Sequence, residues 1–400
     1  MHTGEADIAA FRKEVRTWLQ DNIPQNPGFL LPLTFMEVGT DEQFEFLVAW
    51  QRKVYEAGYL GMSWPEKYGG RGLPHVFQAI VDEELNNHKA PIILNNIGLG
   101  WAGPLLLEMG SEADKHRYIP GILNAEDIWC QGFSEPDHGS DLGNIQTKAV
   151  RDADDYVING SKIWTTHGPY AKYMILLART DHNAESKYAG LSFFLTPMNA
   201  PGISTSPIQK ITGEYGFAQT FFEDARISAD CLLGGEGDGW KIAMRTLEYE
   251  RNVDGGQGTR YAFTSLTSAD LIELCRTIQR DGRPLLEDPV IQDQLVQFMI
   301  EEKCHLLNEE RAQVSELCED FPLSLSLSGK LESTELIRRM RQYAISLQGA
   351  KGALYIEDED ALGSGIWQHA YFNNFSATIG GGTSQVQANI VAEHALGLPK

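Results

Sequence analysis

The chain has 400 residues, a formal net charge of −22 at pH 7, 42% hydrophobic residues and 22% charged residues. This length can bury the core of two or three domains, and the composition is that of a folded globular protein. No run of about 18 apolar residues is present, which argues against a membrane-spanning helix, and the acidic charge argues against nucleic acid as a partner.

The cysteines indicate a reducing environment. Their number is odd and they share no metal-ligand spacing (Cys130, Cys231, Cys275, Cys304, Cys318). We therefore expect reduced, mostly buried thiols, no metal site and a cytoplasmic location. The N-terminal residues also favour a cytoplasmic location, because they include Glu5 and Asp7 and lack the apolar core of a signal peptide.

Residues 1–126 are expected to form a helical domain. An apolar stripe at helical spacing predicts an amphipathic first helix (Phe11, Val15, Trp18, Leu19). A second helical pattern covers residues 76–85, and the stretch from Ser63 to Pro74, rich in Gly and Pro, predicts the loop between them.

Residues 127–234 have the pattern of a β-domain. Short apolar runs at 174–178 and 191–195 predict buried strands. Asn159-Gly160 lies between two β-like segments and predicts a tight hairpin turn. From residue 235 to residue 400 proline is rare, which favours a bundle of long helices. The expected fold class is α+β.

The segment from Gln131 to Thr166 has the pattern of a cofactor site. Two turns, Gly132–Pro136 and Gly139–Asp141, are rich in backbone donors and hydroxyls, and Trp164 is followed by two threonines. Such groups can hydrogen-bond the polar edge of a planar cofactor, and the indole can stack on its face. The alternative interpretation is a β-hairpin with a core tryptophan.

This segment resembles the flavin-binding signature of the acyl-CoA dehydrogenase family. Four other segments are similar to motifs of the same family, in the same order (63–70, 221–234, 380–387, 392–399). The resemblance implies FAD as cofactor and three domains: an N-terminal helical domain, a central β-barrel or sandwich domain and a C-terminal four-helix bundle.

The resemblance also implies which residues bind the cofactor. Four would contact the isoalloxazine ring (Phe133, Ser134, Trp164, Thr166), and Ser140 would lie near the flavin and the CoA moiety. A neighbouring subunit would contribute Gln348 and Gly352 at the adenosine half, and the tail signature adds Thr383 and Gln385.

The position of the catalytic base departs from that of many straight-chain members. Those members carry a glutamate where this chain has Gly381. A second family pattern places the base on a helix directly before an arginine, and Glu250-Arg251 matches it. Glu248 would point about 200° away on that helix, so only one of the two can face a flavin. Arg251 is expected to be structural or near the CoA moiety.

The implied reaction is α,β-dehydrogenation of an acyl-CoA to the trans-2-enoyl-CoA. Glu250 would remove the α-proton while the flavin accepts the β-hydrogen as hydride. The backbone N–H of Gly381 and a flavin hydroxyl would stabilise the thioester oxygen, and an electron-transfer flavoprotein would accept the electrons. A helix-borne base is typical of relatives that act on branched, bulky or steroid side-chain acyl groups. Residues 95–100 are compatible with a wide acyl pocket or with close helix packing.

One family element is poorly matched. Many members bind the flavin pyrophosphate through Arg-x-x-Phe-Gly, whereas this chain has Ile278–Pro284 there, with Arg280 and Arg283. Either one of these arginines binds the pyrophosphate in a different way, or a partner chain supplies that part of the cofactor site. The assembly is therefore expected to be a homo-oligomer or an α2β2 heterotetramer with a related chain. The alternatives are a flavin monooxygenase or oxidase on the same fold, or a non-catalytic subunit of a heteromer.

Overall fold

The computed structural model of the chain describes residues 5–25, 27–250, 266–312, 314, 317–318 and 324–399. It divides into two compact units, Met1–Thr264 and Ser265–Lys400. No helix within the described residues is long and apolar enough to cross a membrane.

The first unit begins with helices α1 to α5 (Glu5–Asn22, Asp41–Glu56, His75–Asn87, Gly103–Met109, Glu112–Leu123). The predicted apolar stripe of α1 is confirmed, because Val15 and Leu19 are buried in the core. Side chains define helix starts: the Thr40 side chain accepts a hydrogen bond from the amide of Gln43 at α2, and Ser111 begins α5 with a capping box.

The central part of the first unit is a β-sheet. Its strands are β1 to β8 (Trp129–Gly132, Lys148–Asp152, Asp155–Thr166, Tyr173–Arg179, Leu191–Pro197, Ile203–Ile208, Phe217–Ser228, Leu232–Leu233). The order is β6-β7-β3-β2-β4-β5-β8, and β1 pairs in parallel with β4. β4 and β5 are buried almost throughout, which explains their continuous apolar runs and confirms the predicted strands.

The hairpin turn predicted at Asn159-Gly160 is wrong. β3 continues through both residues, and the tight turn lies at residues 153–154, where β2 and β3 meet at the pair Asp152 and Asp155. Ala153 supplies the positive φ of 54° at this turn.

Asn159 and Gly160 instead belong to an irregular stretch of the strand. Asn159 donates to the Asp224 carboxylate (3.0 Å) and accepts from its amide (2.9 Å), at a register shift between β3 and β7. Gly160 has a φ of +143°, and a Cβ there would lie 2.7 Å from Thr147 Oγ1. The Asn-Gly pair is therefore explained by cross-strand bonding and close backbone approach rather than by chain reversal.

Helix α6 (Gly239–Glu250) follows the sheet and packs on β5 and on a π-helical turn, Gly98–Ala102, in the first unit. The second unit contains helices α7 to α11 (Ser268–Thr277, Pro289–Ala312, Ser324–Leu347, Ile366–Ala377, Ser384–Ile390). A short hairpin of β9 and β10 (Gln279–Arg280, Arg283–Pro284) follows α7.

The expected order of helical, β and helical parts is confirmed. The boundaries at 126/127 and 234/235 remain predictions, and α6 groups with the first unit. All five cysteines are free thiols, and Cys304 is exposed whereas the other four are buried.

Candidate functional site

The 133–147 loop joins β1 to β2 and carries three of the predicted site residues. Phe133 is buried against Phe193, whereas Ser134 is half-buried and Ser140 is exposed. Ile163 of β3 donates its amide proton to the Ser134 carbonyl (2.9 Å). The predicted ring-contacting residues of the loop and of β3 therefore lie side by side.

A β-bulge displaces Trp164 from the regular sheet. Between the pairs Lys162/Thr220 and Thr165/Ala218, β3 contains one more residue than β7. Trp164 has a φ of +60° and its side chain is 54% exposed. A bulge can re-aim a side chain, and here it presents a large aromatic face that contacts Phe217 edge-on.

Two hydroxyl-bearing residues neighbour this indole: Ser134, which is half-buried, and Thr166, which is buried. Within the described residues, the hydroxyls of Ser134 and Thr166 form no hydrogen bond, and Thr165 is instead bonded to Thr220 (3.1 Å). An exposed aromatic face next to free hydroxyls and backbone groups is the donor set that a flavin ring requires. The residues present therefore fit the cofactor that the sequence predicted.

Three buried ionisable groups lie close to this surface: Lys162, Glu135 and His167. Burial lowers the pKa of Lys162 to about 8, although the adjacent Glu135 opposes this effect. Burial alone would raise the pKa of Glu135, but the charge and hydrogen bond of Lys162, together with hydrogen bonds from Thr147 and Gln146, outweigh it and lower the pKa. His167, just after β3, is also buried; its Nε2 lies 2.9 Å from the Phe35 carbonyl, and desolvation lowers its pKa to about 4.

The two candidate bases on α6 have different surroundings. Glu250 is half-buried at the end of the helix, whereas Glu248 is exposed and accepts a hydrogen bond from Arg245 (2.8 Å). Arg245 also bonds Glu108 (2.9 Å), so Glu248 belongs to a surface ion-pair network. Arg251 lies outside the described residues.

Packing accounts for two residues of the segment at 95–100. Asn95 is fully buried; its Nδ2 donates to the carbonyls of Ile122 and Asp127, and its Oδ1 accepts from the amide of Trp129. A Cβ on Gly98 would lie 2.6 Å from the Asn95 side chain. For Asn95 and Gly98, close packing therefore accounts for the residue types.

In the second unit, the predicted adenosine-contacting residues are close together. The Oε1 of Gln348 accepts a hydrogen bond from Gln368 Nε2 (2.9 Å), and the buried Nε2 of Gln348 has no partner among the described residues. A Cβ on Gly352 would lie 2.8 Å from the Ile345 carbonyl, so a larger residue would disturb the end of α9.

The tail signature forms the start of α11. The Thr383 hydroxyl accepts from the Val386 amide and caps the helix, and Gln385 is exposed. Gly381 has a φ of +64°, and its carbonyl accepts from Gln387 Nε2 (2.7 Å). In this unit the β9–β10 hairpin places Arg280 opposite Arg283, both exposed, across an Asp281-Gly282 turn with positive φ at both residues.

Sequence reasoning did not identify three buried charged side chains in the 133–147 loop or against it, Glu135, Lys162 and Arg179. A lysine in a strand between Ser161 and Ile163 was the one available signal. Alternation along β3 places Lys162 on the inward face, where a charge needs a partner.

The chain matches known proteins along nearly its whole length. Family models for the N-terminal, middle and C-terminal domains of acyl-CoA dehydrogenases match residues 5–126, 130–225 and 237–396. Acyl-CoA dehydrogenase IpdE1 of Mycobacterium tuberculosis is 35% identical over 396 residues, covering 98% of each chain.

Solved structures show the same fold. One described as "Tcur3481-Tcur3483 steroid ACAD" is similar with a TM-score of 0.82 and 27% identity, covering 100% of both chains. The ChsE4-ChsE5 complex from Mycobacterium tuberculosis has a TM-score of 0.79 and 25% identity, covering 100% of this chain and 99% of that one. Matches along nearly the whole length leave one conclusion: this chain belongs to the acyl-CoA dehydrogenase family, whose members are FAD-dependent enzymes that dehydrogenate acyl-CoA thioesters.

Proposed function

We propose that the chain dehydrogenates a bulky, branched or steroid side-chain acyl-CoA to the trans-2-enoyl-CoA, with Glu250 as the base that removes the α-proton. The observation that carries this proposal is the difference in burial on α6, where Glu250 is half-buried and Glu248 is exposed. A general base must reach a substrate in a site from which water is excluded, and the half-buried carboxylate meets that requirement better than the exposed one.

Phe133, Ser134, Trp164 and Thr166 would hold the flavin ring through the indole face and the hydroxyl and backbone groups described above. The bound flavin would supply the two-electron acceptor for the β-hydrogen. Ser140 would bind near the flavin and the CoA moiety. Gln348, Gly352, Thr383 and Gln385 remain proposed cofactor contacts by family resemblance, as does the Gly381 amide as a donor to the thioester oxygen.

Two observations support the substrate class. Gly381 cannot serve as a base, which leaves the pattern with the glutamate on a helix. A similar solved structure is described as a steroid ACAD. A rigid bulky acyl group needs its α- and β-carbons held between base and acceptor, because orientation supplies much of the rate.

For the assembly, we propose a homo-oligomer or a heterotetramer with a related chain, with an electron-transfer flavoprotein as electron acceptor. The ChsE4-ChsE5 complex, which names two chains, supports the second arrangement. The free and mostly buried cysteines support a cytoplasmic location.

The test is anaerobic bleaching of the bound flavin by a panel of acyl-CoAs that includes butyryl-, octanoyl-, branched and steroid side-chain thioesters. Glu250→Gln keeps the size of the side chain but removes the base, so we expect the bleaching rate to fall about 10²–10⁴-fold while FAD and acyl-CoA still bind. Glu248→Gln, two residues away, is the matched control and should keep nearly the wild-type rate.

Each outcome has a definite meaning. Full activity of Glu250→Gln together with loss of activity in Glu248→Gln would reassign the base. A preference for butyryl- or octanoyl-CoA by kcat/KM would refute the bulky substrate class. Rapid reoxidation of the reduced protein by air would favour an oxidase or monooxygenase, and a colourless protein that binds no FAD would favour a non-catalytic subunit.

A further inference from the structure

Three charged side chains are buried in the 133–147 loop or against it: Glu135 belongs to the loop, Lys162 to β3 and Arg179 to β4. Lys162 is 0% exposed, Glu135 is 6% exposed and Arg179 is 7% exposed. We call these residues the buried charge cluster. Removing charges from water is costly unless each one is paired and hydrogen-bonded, so three of them at one place require an explanation.

Glu135 and Lys162 connect the two ends of the loop. The Glu135 carboxylate accepts hydrogen bonds from the amides of Gln146 (2.6 Å) and Thr147 (2.8 Å). Lys162 Nζ donates to Glu135 Oε1 (2.8 Å) and to the Phe133 carbonyl (3.0 Å). The Glu135 carboxylate therefore ties the start of the loop to its end, and Lys162 holds the start of the loop.

Arg179 holds the same loop from β4. Its guanidinium donates to the carbonyls of Gly143 (2.8 Å) and Ile145 (3.1 Å), and also to that of Lys187. Its backbone amide donates to the Thr147 carbonyl (2.8 Å). These loop carbonyls lie outside the strands, and the rigid fork of an arginine supplies donors in fixed directions.

Apart from the ion pair itself, the hydrogen bonds named above end on main-chain atoms of the loop or of Lys187. The cluster therefore fixes the path of the loop backbone from its buried side. Ser134 is half-buried and Ser140 is exposed. Lys162 donates to the carbonyl of Phe133, and this carbonyl is part of the peptide group that joins Phe133 to Ser134.

We propose that Glu135, Lys162 and Arg179 are positioning residues for the flavin, because they set the main-chain path that presents Phe133 and Ser134 to the flavin ring. This inference rests on the proposed function, which assigns ring contacts to this loop. Neutral replacement of both members of a buried ion pair avoids leaving one charge unpaired, but here it also removes hydrogen bonds to the Phe133 carbonyl and to the loop amides, so some loss of stability is expected. A positioning role predicts, in addition, an effect on the flavin that a loss of stability alone does not produce.

The test is the double variant Glu135→Gln/Lys162→Met. It removes both charges of the ion pair together, so neither residue is left as a buried charge without its counter-charge. FAD affinity is measured by quenching of flavin fluorescence during titration of the apoprotein. The midpoint potential and the visible absorption spectrum of the bound flavin are measured on the loaded protein. We expect FAD to bind about tenfold more weakly, equivalent to about 1.4 kcal/mol, with a shifted potential and an altered spectrum.

The matched control is Glu84→Gln. Glu84 is a fully buried carboxylate of the same unit that pairs with Arg12 and Arg16 of α1, away from the loop. This control should lower the melting temperature but leave FAD affinity, potential and spectrum at wild-type values.

Wild-type FAD affinity, potential and spectrum in the double variant would overturn the inference and leave the proposed function standing. Wild-type protein that binds no FAD would overturn both. Should the double variant fail to fold, Arg179→Lys replaces it, because lysine keeps the charge but cannot reproduce the fork to Gly143 and Ile145. Unchanged flavin properties in that variant would refute the inference in the same way.

Discussion

The amide of Ile163 donates a 2.9 Å hydrogen bond to the carbonyl of Ser134, and this contact joins the two parts of the proposed flavin surface. Ser134 lies at the start of the 133–147 loop, and Ile163 directly precedes Trp164 in the bulge of β3. The backbone segments that carry the Ser134 hydroxyl and the Trp164 indole are therefore held next to each other.

Trp164→Ala should weaken FAD binding about 3- to 10-fold, because it removes an aromatic face. The side chain is 54% exposed, so the melting temperature of the apoprotein should change little. FAD titration and thermal denaturation measure the two effects. Trp164→Phe keeps an aromatic ring and should restore most of the affinity. Equal affinity of the alanine variant and the wild type would exclude stacking by Trp164.

Gly160→Ala should lower the free energy of unfolding by about 2 kcal/mol. The residue has a φ of +143°, and the added Cβ would lie 2.7 Å from Thr147 Oγ1 and 2.8 Å from Thr147 Cα. Urea denaturation followed by circular dichroism gives the change. Gly139→Ala is the control: an added Cβ there meets nothing within 4 Å, so the stability of this variant should equal or slightly exceed that of the wild type. A stable Gly160→Ala variant would contradict the close approach of β3 to Thr147.

The stability of the protein should depend on pH through His167. Its pKa is lowered to about 4 by burial, so the folded protein keeps it neutral while the unfolded chain protonates it below its ordinary pKa of about 6.5. The unfolded state then binds more protons, and stability falls as the pH is lowered from about 6.5 towards 4, by at most about 3 kcal/mol.

His167→Gln isolates this effect, because glutamine can still donate to the Phe35 carbonyl but does not titrate. The unfolding free energy of the wild type minus that of the variant should decrease steadily across this pH range. A difference that stays constant with pH would mean that His167 is protonated equally in the folded and unfolded states.

Much of the architecture follows from local patterns. The stripe through Val15 and Leu19 and the apolar runs of β4 and β5 predicted elements that the structure contains, because periodicity reflects which side of an element is buried. The motif order along the chain likewise indicated the family, which the matches over 5–126, 130–225 and 237–396 support.

Other features depend on partners that are distant in the chain. Asn159-Gly160 has the local preference of a turn, but pairing with Asp224 and the approach of Thr147 keep it within a strand. Local propensity cannot register such contacts, and tertiary pairing overrides it.

By itself, the sequence determined the order of helical and β parts, the family and the residues to suspect, since these follow from periodicity and short motifs. Only the tertiary structure decided that a bulge in β3 exposes the Trp164 side chain. It also decided that Lys162 and Arg179 bond to the 133–147 loop, which contains Glu135. The physical reason is that a bulge and a buried charge are set by the opposing strand and by desolvation, and both depend on residues far away in the chain.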